Sequence, residues 1–180
     1  NTVVGALERV TDHISNPHTS LPRQRFRTIR AKHIILASGA LERHIAFNNN
    51  DIPGVMTANA SRHYLNRYGV LTGKNIVITT NNDSVYQTAI ELHEAGSKVT
   101  VLDSRKDINI DLPKEIELHL ETLPYSINGS KKIESLDVCK ASDKKNKNTI
   151  ICDQVLVSGG WSPIVNLVSH RGIKPVWNED

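Results

Sequence analysis

The sequence predicts an α/β fold that combines a Rossmann-like βαβ unit with a β-meander. Residues 73–104 read as strand, tight loop, helix, glycine turn and strand, which is the length of one βαβ unit. The aliphatic segment 34–40 (IILASGA) also matches 154–160 (QVLVSGG), 120 residues further on, and both copies end in Ser-Gly and a small residue. This repeat indicates the closing part of one dinucleotide-type domain followed by a second domain, as in flavoproteins with two dinucleotide-binding domains.

The composition fits a globular protein that binds neither nucleic acid nor membrane. Of the 180 residues, 38% are hydrophobic and 23% are charged, close to the usual values. The net charge of +3 (22 basic minus 19 acidic residues) and an aromatic share of 4% offer little to phosphates or bases. No apolar run approaches the ~18 residues of a membrane span. Because the sequence also lacks a signal-peptide pattern, we expect a cytoplasmic location.

Cysteine and histidine spacing gives no support to a metal or dithiol site. Cys139 and Cys152 lack the CxxC spacing of zinc and thioredoxin-like sites, so both are predicted to be buried, reduced thiols. The eight histidines form no ligand motif, and no metal is expected. A nucleophile elbow and paired catalytic carboxylates are also missing, so we expect no catalytic residue in this chain.

The first 40 residues predict strands and one loop. Residues 2–14 alternate loosely and predict one or two short strands, and 15–22, with two prolines, predict a loop. Residues 23–31 alternate basic and other side chains, as a half-exposed strand does. The continuous apolar run in 33–40 predicts a strand in the interior of a parallel sheet.

A helix is predicted after an irregular connection over 41–56. It begins with Thr57 or Asn59 as N-cap and ends near Gly69. Its inward face is predicted to comprise Ala60, Tyr64, Leu65 and Tyr68.

The βαβ unit is predicted to begin with a strand over Asn75–Thr79. A helix follows over Ser84–Glu94, with Asp83 or Ser84 as N-cap. Its inward side chains are predicted to be Val85, Ala89, Ile90 and Leu92, with Gly96 just past its end. The second strand is predicted over Lys98–Leu102, ending at Asp103.

Residues beyond 105 predict a hairpin, a charged turn and the repeated strand. Asn128-Gly129 is a hairpin signal, and 142–148 (SDKKNKN) predicts a charged turn. The sequence therefore predicts four segments in the whole chain. Residues 1–46 are the meander and closing strand of a first dinucleotide-binding domain, and 47–71 are a connection with a helix. Residues 72–155 are a second, degenerate Rossmann-like domain, and 156–180 return into the first domain. Since a glycine loop should precede the meander, we expect the sequence to start inside the first domain.

The phosphate loop of the second domain lacks every expected glycine. The position that should read G-x-G-x-x-G is occupied by 79–85 (TTNNDSV). Asp83 adds a negative charge beside the helix N-terminus, which repels phosphate. A standard pyrophosphate site is therefore not expected here. Asp103 stands where an acidic residue bonds a ribose hydroxyl, but with the glycines absent a strand-end turn aspartate is the favoured interpretation.

The two Ser-Gly-small endings are the best candidates for cofactor contact. Small residues at the carboxyl end of a parallel strand let a cofactor approach the backbone, although one such ending alone is more often a plain turn. Trp161 and Trp177 are candidates for packing, and Trp161, directly after Gly159 and Gly160, is an equal candidate for lining a cofactor crevice.

Three segments resemble the alpha subunit of heterotetrameric sarcosine oxidase. They are 30–56 (RAKHIILASGALERHIAFNNNDIPGVM), 62–96 (RHYLNRYGVLTGKNIVITTNNDSVYQTAIELHEAG) and 157–177 (VSGGWSPIVNLVSHRGIKPVW). That family has an Asn-Asp-x-Pro-Gly-Val-Met segment and also carries Thr-Asn-Asn-Asp-Ser instead of a glycine loop. Ser38 departs from its usual threonine but keeps the hydroxyl.

The resemblance implies a function for the whole protein. The family oxidises sarcosine to glycine, with formaldehyde or methylene-tetrahydrofolate and hydrogen peroxide as the other products. The alpha subunit assembles with beta, gamma and delta subunits and holds NAD without using it for turnover. The amine-oxidising FAD belongs to beta, a covalent FMN lies at the alpha–beta boundary, and tetrahydrofolate chemistry belongs to another domain of alpha. The chain is then expected to be an inactive internal fragment.

The resemblance also implies positions for the cofactor contacts. Ser38, Gly39 and Ala40 would lie beside the NAD of the first domain, and Gly159, Gly160 and Trp161 would flank the same crevice. Two other functions stay open. One is an NAD(P)H-dependent flavin reductase of the pyridine-nucleotide-disulfide reductase type. The missing CxxC motif and the missing glycines argue against it. The other is a cofactor-free interaction module.

Overall fold

The computed structural model describes residues 2–170 and 172–176, so Trp177 lies outside the described residues. The chain divides into two compact units. The smaller combines the residues up to Ser38 with those from Val165 onward, and the larger is Gly39–Ile164.

The smaller unit contains an antiparallel hairpin. Strand β1 (Thr2–Arg9) pairs with β2 (Gln24–Ala31), with Thr2 opposite Ala31. Half-buried and exposed residues alternate along β1, whereas β2 is exposed along nearly all its length. The strands predicted in 2–14 and 23–31 and the loop between them are confirmed, but 23–31 is almost wholly exposed and not half-exposed as predicted.

The buried strand predicted over 33–40 is wrong. Residues 33–39 form no strand, and Ile35 is 93% exposed. A strand requires neighbours that accept and donate its backbone hydrogen bonds. In the described part of the smaller unit the two-stranded β1–β2 hairpin is the only sheet, and it does not extend to this segment.

The larger unit is built on a five-stranded parallel sheet. Its spatial order is β4, β11, β5, β6, β7, which are Val55–Thr57, Gln154–Ser158, Asn75–Thr80, Lys98–Asp103 and Glu117–His119. The three central strands are almost wholly buried, as in a sheet covered on both faces. The predicted α/β fold with a Rossmann-like unit is confirmed.

The βαβ unit follows the prediction closely except at the start of its helix. After β5 a 3-10 turn at Asp83–Val85 leads into helix α2 (Tyr86–Glu94). The N-cap of the turn is Asn82, not Asp83 or Ser84, because the Asn82 side chain accepts from the Ser84 amide at 3.2 Å. Gly96 follows the helix with φ of +102°, the conformation that favours glycine.

The bounds of helix α1 (Ala58–Tyr68) agree with the prediction, and Leu65 packs against the core as predicted, but the predicted inward face is wrong for Tyr64 and Tyr68. It begins after Thr57 and ends at Gly69, whose φ is +65°. Tyr64 and Tyr68 are exposed, while Ala58 and Ser61 are buried. Ser61 is tolerated there because its hydroxyl and that of Thr72 are hydrogen-bonded at 2.6 Å.

A three-stranded antiparallel sheet packs against the face of the parallel sheet opposite helices α1 and α2. It consists of β8 (Thr122–Gly129), β9 (Ile133–Lys140) and β10 (Asp143–Ile151). The hairpin signal at Asn128-Gly129 is confirmed. The charged turn predicted over 142–148 is wrong except at Ser142, which lies in the β9–β10 turn, because residues 143–148 form the exposed start of β10, with a bulge between Asp143 and Lys147. Lysines are common on edge strands, where they discourage further pairing.

Two hydrophobic clusters cover the two faces of the parallel sheet. Ile78 and Leu156 face the helices with Leu92, while Val77 and Val155 face the antiparallel sheet. This division follows from the period of two in a strand. Cys139 and Cys152 are buried and unpaired, as predicted. Burial raises the pKa of the Cys152 thiol to about 12. None of the helices in the described part of the chain is long and apolar enough to cross a membrane.

An ion pair joins α1 to α2 and makes stability depend on pH. Arg62 Nη2 lies 2.7 Å from Glu91 Oε1, and this partner lowers the pKa of Glu91 from 4.5 to about 2. A lowered pKa stabilises the fold above the unfolded value, and the contribution is lost as pH falls from about 4.5 to about 2. Glu91→Gln is therefore expected to flatten the decline in unfolding free energy over that window, as measured by urea denaturation at several pH values.

Glu94→Gln is the matched control, since Glu94 is an exposed carboxylate on the same helix. It should leave the pH dependence as in the parent chain. An identical decline in the parent chain and in Glu91→Gln would contradict the assigned role of the ion pair.

Candidate functional site

Two short strands bring distant parts of the larger unit together at the carboxyl end of its parallel sheet. Strand β3 (Ala40–Glu42) pairs antiparallel with β12 (Trp161–Pro163), so that Trp161 lies opposite Glu42 and Pro163 opposite Ala40. The Ile164 amide also donates to the Gly39 carbonyl at 3.0 Å. The predicted contact residues 39–40 and 159–161 thus form one structural group.

The glycines of this group have a packing reason of their own. The Gly159 amide donates to the Arg43 carbonyl, and the Arg43 amide donates to the Gly160 carbonyl, both at 2.8 Å. A Cβ on Gly159 would lie 3.0 Å from the Arg43 carbonyl oxygen, and Gly160 has φ of +85°. Close backbone approach therefore requires small residues here. Gly39, with φ of +73°, has no heavy atom near the place of a Cβ.

A cleft of about 440 Å³ opens beside this pair of strands. Strand β3 supplies Ala40 and Glu42, helix α1 supplies Asn59, His63 and Tyr64, and β12 supplies Trp161. The walls are mainly apolar and aromatic, which is the usual lining of a small-molecule site.

The single anionic group of the cleft is held by a helix terminus. Glu42 Oε2 accepts from the Asn59 amide at 2.9 Å, in the first turn of α1, where Thr57 makes no side-chain cap. A carboxylate at a helix N-terminus is favourable because it satisfies a free amide and the helix dipole. With this terminus already bonded to Glu42, the cleft suits a planar ring better than a phosphate.

The glycine-free loop (residues 79–85) forms side-chain hydrogen bonds to the end of β11 and to Trp161. Asn82 Nδ2 donates to the Ser158 carbonyl at 3.1 Å, at the end of β11. Asn82 Oδ1 accepts from the Ser84 hydroxyl at 2.6 Å. That hydroxyl in turn accepts from Trp161 Nε1 at 2.8 Å.

Asp103 belongs to a separate buried network. It is fully buried, and Tyr86 Oη donates to its Oδ2 at 2.6 Å. Arg105 Nη2 lies 2.8 Å from Asp103 and 2.6 Å from Asp83. Burial acts to raise the pKa of Asp103, but the hydrogen bonds from Arg105 and Tyr86 outweigh it and lower that pKa. Burial also raises the pKa of Tyr86.

The structure places the predicted contact residues in three locations. Gly39, Ala40, Gly159, Gly160 and Trp161 lie together beside the cleft. Ser38 is the last residue of the smaller unit before the division. Both carboxylate oxygens of Asp103 have protein donors, which favours its interpretation as a strand-end structural residue.

Sequence reasoning missed Glu42, His63 and Tyr64 as cleft residues. Their place in the cleft depends on β3 pairing with β12 across more than 100 positions, which no local pattern reports. Asn82 was predicted only as a replacement for glycine, and Ser84 as such a replacement or as an N-cap. Within the described residues, no group of three His, Cys, Asp or Glu side chains is placed to hold a metal ion.

The chain is similar over nearly its whole length to curated relatives. It is 41% identical over 179 residues to "Sarcosine oxidase subunit alpha" of Rhizobium meliloti (strain 1021), covering 99% of this chain and 18% of the relative. It is 36% identical over 183 residues to the subunit of the same name from Corynebacterium sp. (strain U-96), covering 96% and 19%. The chain thus spans about a fifth of the length of these relatives. No protein-family model matches it.

Solved structures of similar fold include a thioredoxin reductase and a dehydrogenase. Thioredoxin reductase of Lactococcus lactis aligns with a TM-score of 0.61 at 19% identity, covering 93% of this chain and 55% of that chain. The L-proline dehydrogenase of P. horikoshii aligns with a TM-score of 0.56 at 23% identity, covering 83% and 25%. At these identities the likeness supports the Rossmann-like fold alone.

Proposed function

Since this chain is a homologue of sarcosine oxidase alpha subunits over almost its whole length, we propose that it is a cofactor-holding segment of such a subunit. The complete enzyme would oxidise the N-methyl amine sarcosine to glycine, with formaldehyde or methylene-tetrahydrofolate and hydrogen peroxide as the other products. This segment would contribute walls for a bound NAD and no catalytic residue. The 41% identity over 179 residues carries the proposal.

The cleft geometry supports an NAD contact at 40–42 and at Trp161. The small side chain of Ala40 leaves room beside the aromatic side chains of Tyr64 and Trp161, which offer stacking surfaces to a planar ring. The residues present therefore fit the nicotinamide or adenine end of a dinucleotide. NAD supplies a hydride-accepting ring when it reacts, and we assign it a structural role in this subunit.

The loop at 79–85 does not fit a pyrophosphate. Asn82 caps the Ser84 amide that a phosphate would otherwise bind, and Asp83 pairs with Arg105 in front of the helix. The proposed NAD therefore belongs to the cleft and not to this loop. FAD, FMN, tetrahydrofolate and the beta, gamma and delta subunits would act elsewhere in a cytoplasmic complex.

The experiment uses the native complex, purified through a tag on the subunit that carries this sequence. We expect hydrogen peroxide to form when sarcosine is added under air. The 180-residue chain alone, at the same molar concentration, is the control and should form none. NADPH-dependent dye reduction without sarcosine oxidation would overturn the proposal in favour of a reductase.

A further inference from the structure

We infer that Asn82 and Ser84 are positioning residues that fix the indole of Trp161 in the cleft. The glycine-free loop then has a function of its own: its side chains orient an aromatic wall on the neighbouring strand. This goes beyond the proposed function, since the orientation of Trp161 is a property of the chain without any cofactor.

The first step is the polarity of the hydrogen bonds at Ser84. Its hydroxyl has one proton, which it donates to Asn82 Oδ1 over 2.6 Å. The same oxygen is then left as the acceptor for Trp161 Nε1–H at 2.8 Å. Asn82 thereby determines that Ser84 accepts from the indole and does not compete as a donor.

The second step is the anchoring of Asn82 itself. Its Nδ2 donates to the Ser158 carbonyl at 3.1 Å, and its backbone amide donates to Thr80 Oγ1 at 3.1 Å. Both partners lie at the carboxyl ends of central, buried strands. The Asn82 side chain is therefore held by two buried central strands, and its bond to Ser84 in turn fixes the acceptor of Trp161.

The third step is the need for such a restraint. Trp161 follows two glycines, and Gly160 adopts φ of +85°. The indole is half-buried and lines an open cleft. Neighbouring side chains therefore cannot surround it and fix its orientation by packing alone. Indole nitrogen is a donor only, and a single fixed acceptor is enough to select one ring orientation. A glycine at position 84 would remove that acceptor, and a glycine at position 82 would remove the group that fixes it.

The test measures the indole N–H by NMR in ¹⁵N-labelled chain. The sequence has two tryptophans, so Trp177→Phe leaves Trp161 as the single indole signal. In this background Ser84→Ala is expected to accelerate solvent exchange of the indole proton roughly five- to tenfold, since one hydrogen bond is lost. Ser84→Thr keeps the hydroxyl and should restore exchange close to that of the parent. Ser142→Ala, an exposed serine in the β9–β10 turn, is the control and should change nothing.

Ser84 is exposed, so its truncation removes nothing from the core, and an unchanged far-UV circular dichroism spectrum verifies the fold. Unaltered exchange and chemical shift in Ser84→Ala would overturn the inference. A second readout, NAD content of the native complex carrying Ser84→Ala, rests on the proposed function and should fall several-fold. Faster indole exchange with unchanged NAD content would uphold the positioning role and count against the cofactor proposal.

Discussion

Replacing Arg105 by methionine is expected to lower the free energy of unfolding by about 3 kcal/mol. The reason is the burial of its partner: Asp103 is fully buried at the end of β6, and Arg105 supplies the neutralising charge at 2.8 Å. Methionine keeps much of the volume but leaves a buried carboxylate with Tyr86 and one backbone amide as its donors. Asp83 also loses its cation at the start of the 3-10 turn.

Chemical denaturation of the 180-residue chain measures this loss. Lys106→Met removes a positive charge from the adjacent, exposed position and is expected to change stability by less than about 0.5 kcal/mol. The double variant Asp103→Asn with Arg105→Met should recover part of the loss, because no unpaired charge is then buried. If Arg105→Met were as stable as Lys106→Met, the Asp103 network would not be the stabilising element described.

The βαβ unit could be predicted because its signals are local. The apolar runs of β5 and β6, the spacing of Val85, Ala89 and Leu92, and Gly96 after the helix all lie within 32 residues of sequence. Each of these local signals favours the same βαβ structure, and such agreement makes a segment predictable from its sequence.

The segment 33–39 shows where local signals fail. Its composition resembles that of β11, and the repeat predicted the same structure for both. Strand β11 is buried between β4 and β5, whereas 33–39 has no strand beside it among the described residues. Pairing partners decide whether an aliphatic run becomes a strand, and composition does not report them.

The candidate site was predictable only in part. The two Ser-Gly-small endings and the resemblance predicted that 39–40 and 159–161 flank one crevice, and the two segments lie side by side through β3 and β12. The missing glycines predicted that the second domain has no ordinary phosphate loop. What Asn82 and Ser84 do instead depends on Ser158 and Trp161, more than 70 positions away, and required the structure.

Replacing Ala40 by tryptophan is expected to reduce the NAD bound to the native complex by about tenfold or more, equivalent to at least about 1.4 kcal/mol of binding free energy. Ala40 lies on β3 at the wall of the cleft, and a large ring there would take up space that we assign to the cofactor. Ala141→Trp, which places the same side chain on the exposed β9–β10 turn, is the matched control and should retain the NAD of the parent.

The most direct measurement is the amount of NAD released per subunit when the purified native complex is denatured in acid and the extract is separated by chromatography. The account predicts about one NAD per subunit in the parent and in Ala141→Trp, as for a single tight site, with little in Ala40→Trp. A complex that releases no NAD, or an Ala40→Trp complex that releases as much as the parent, would contradict the assignment of this cleft as a cofactor site.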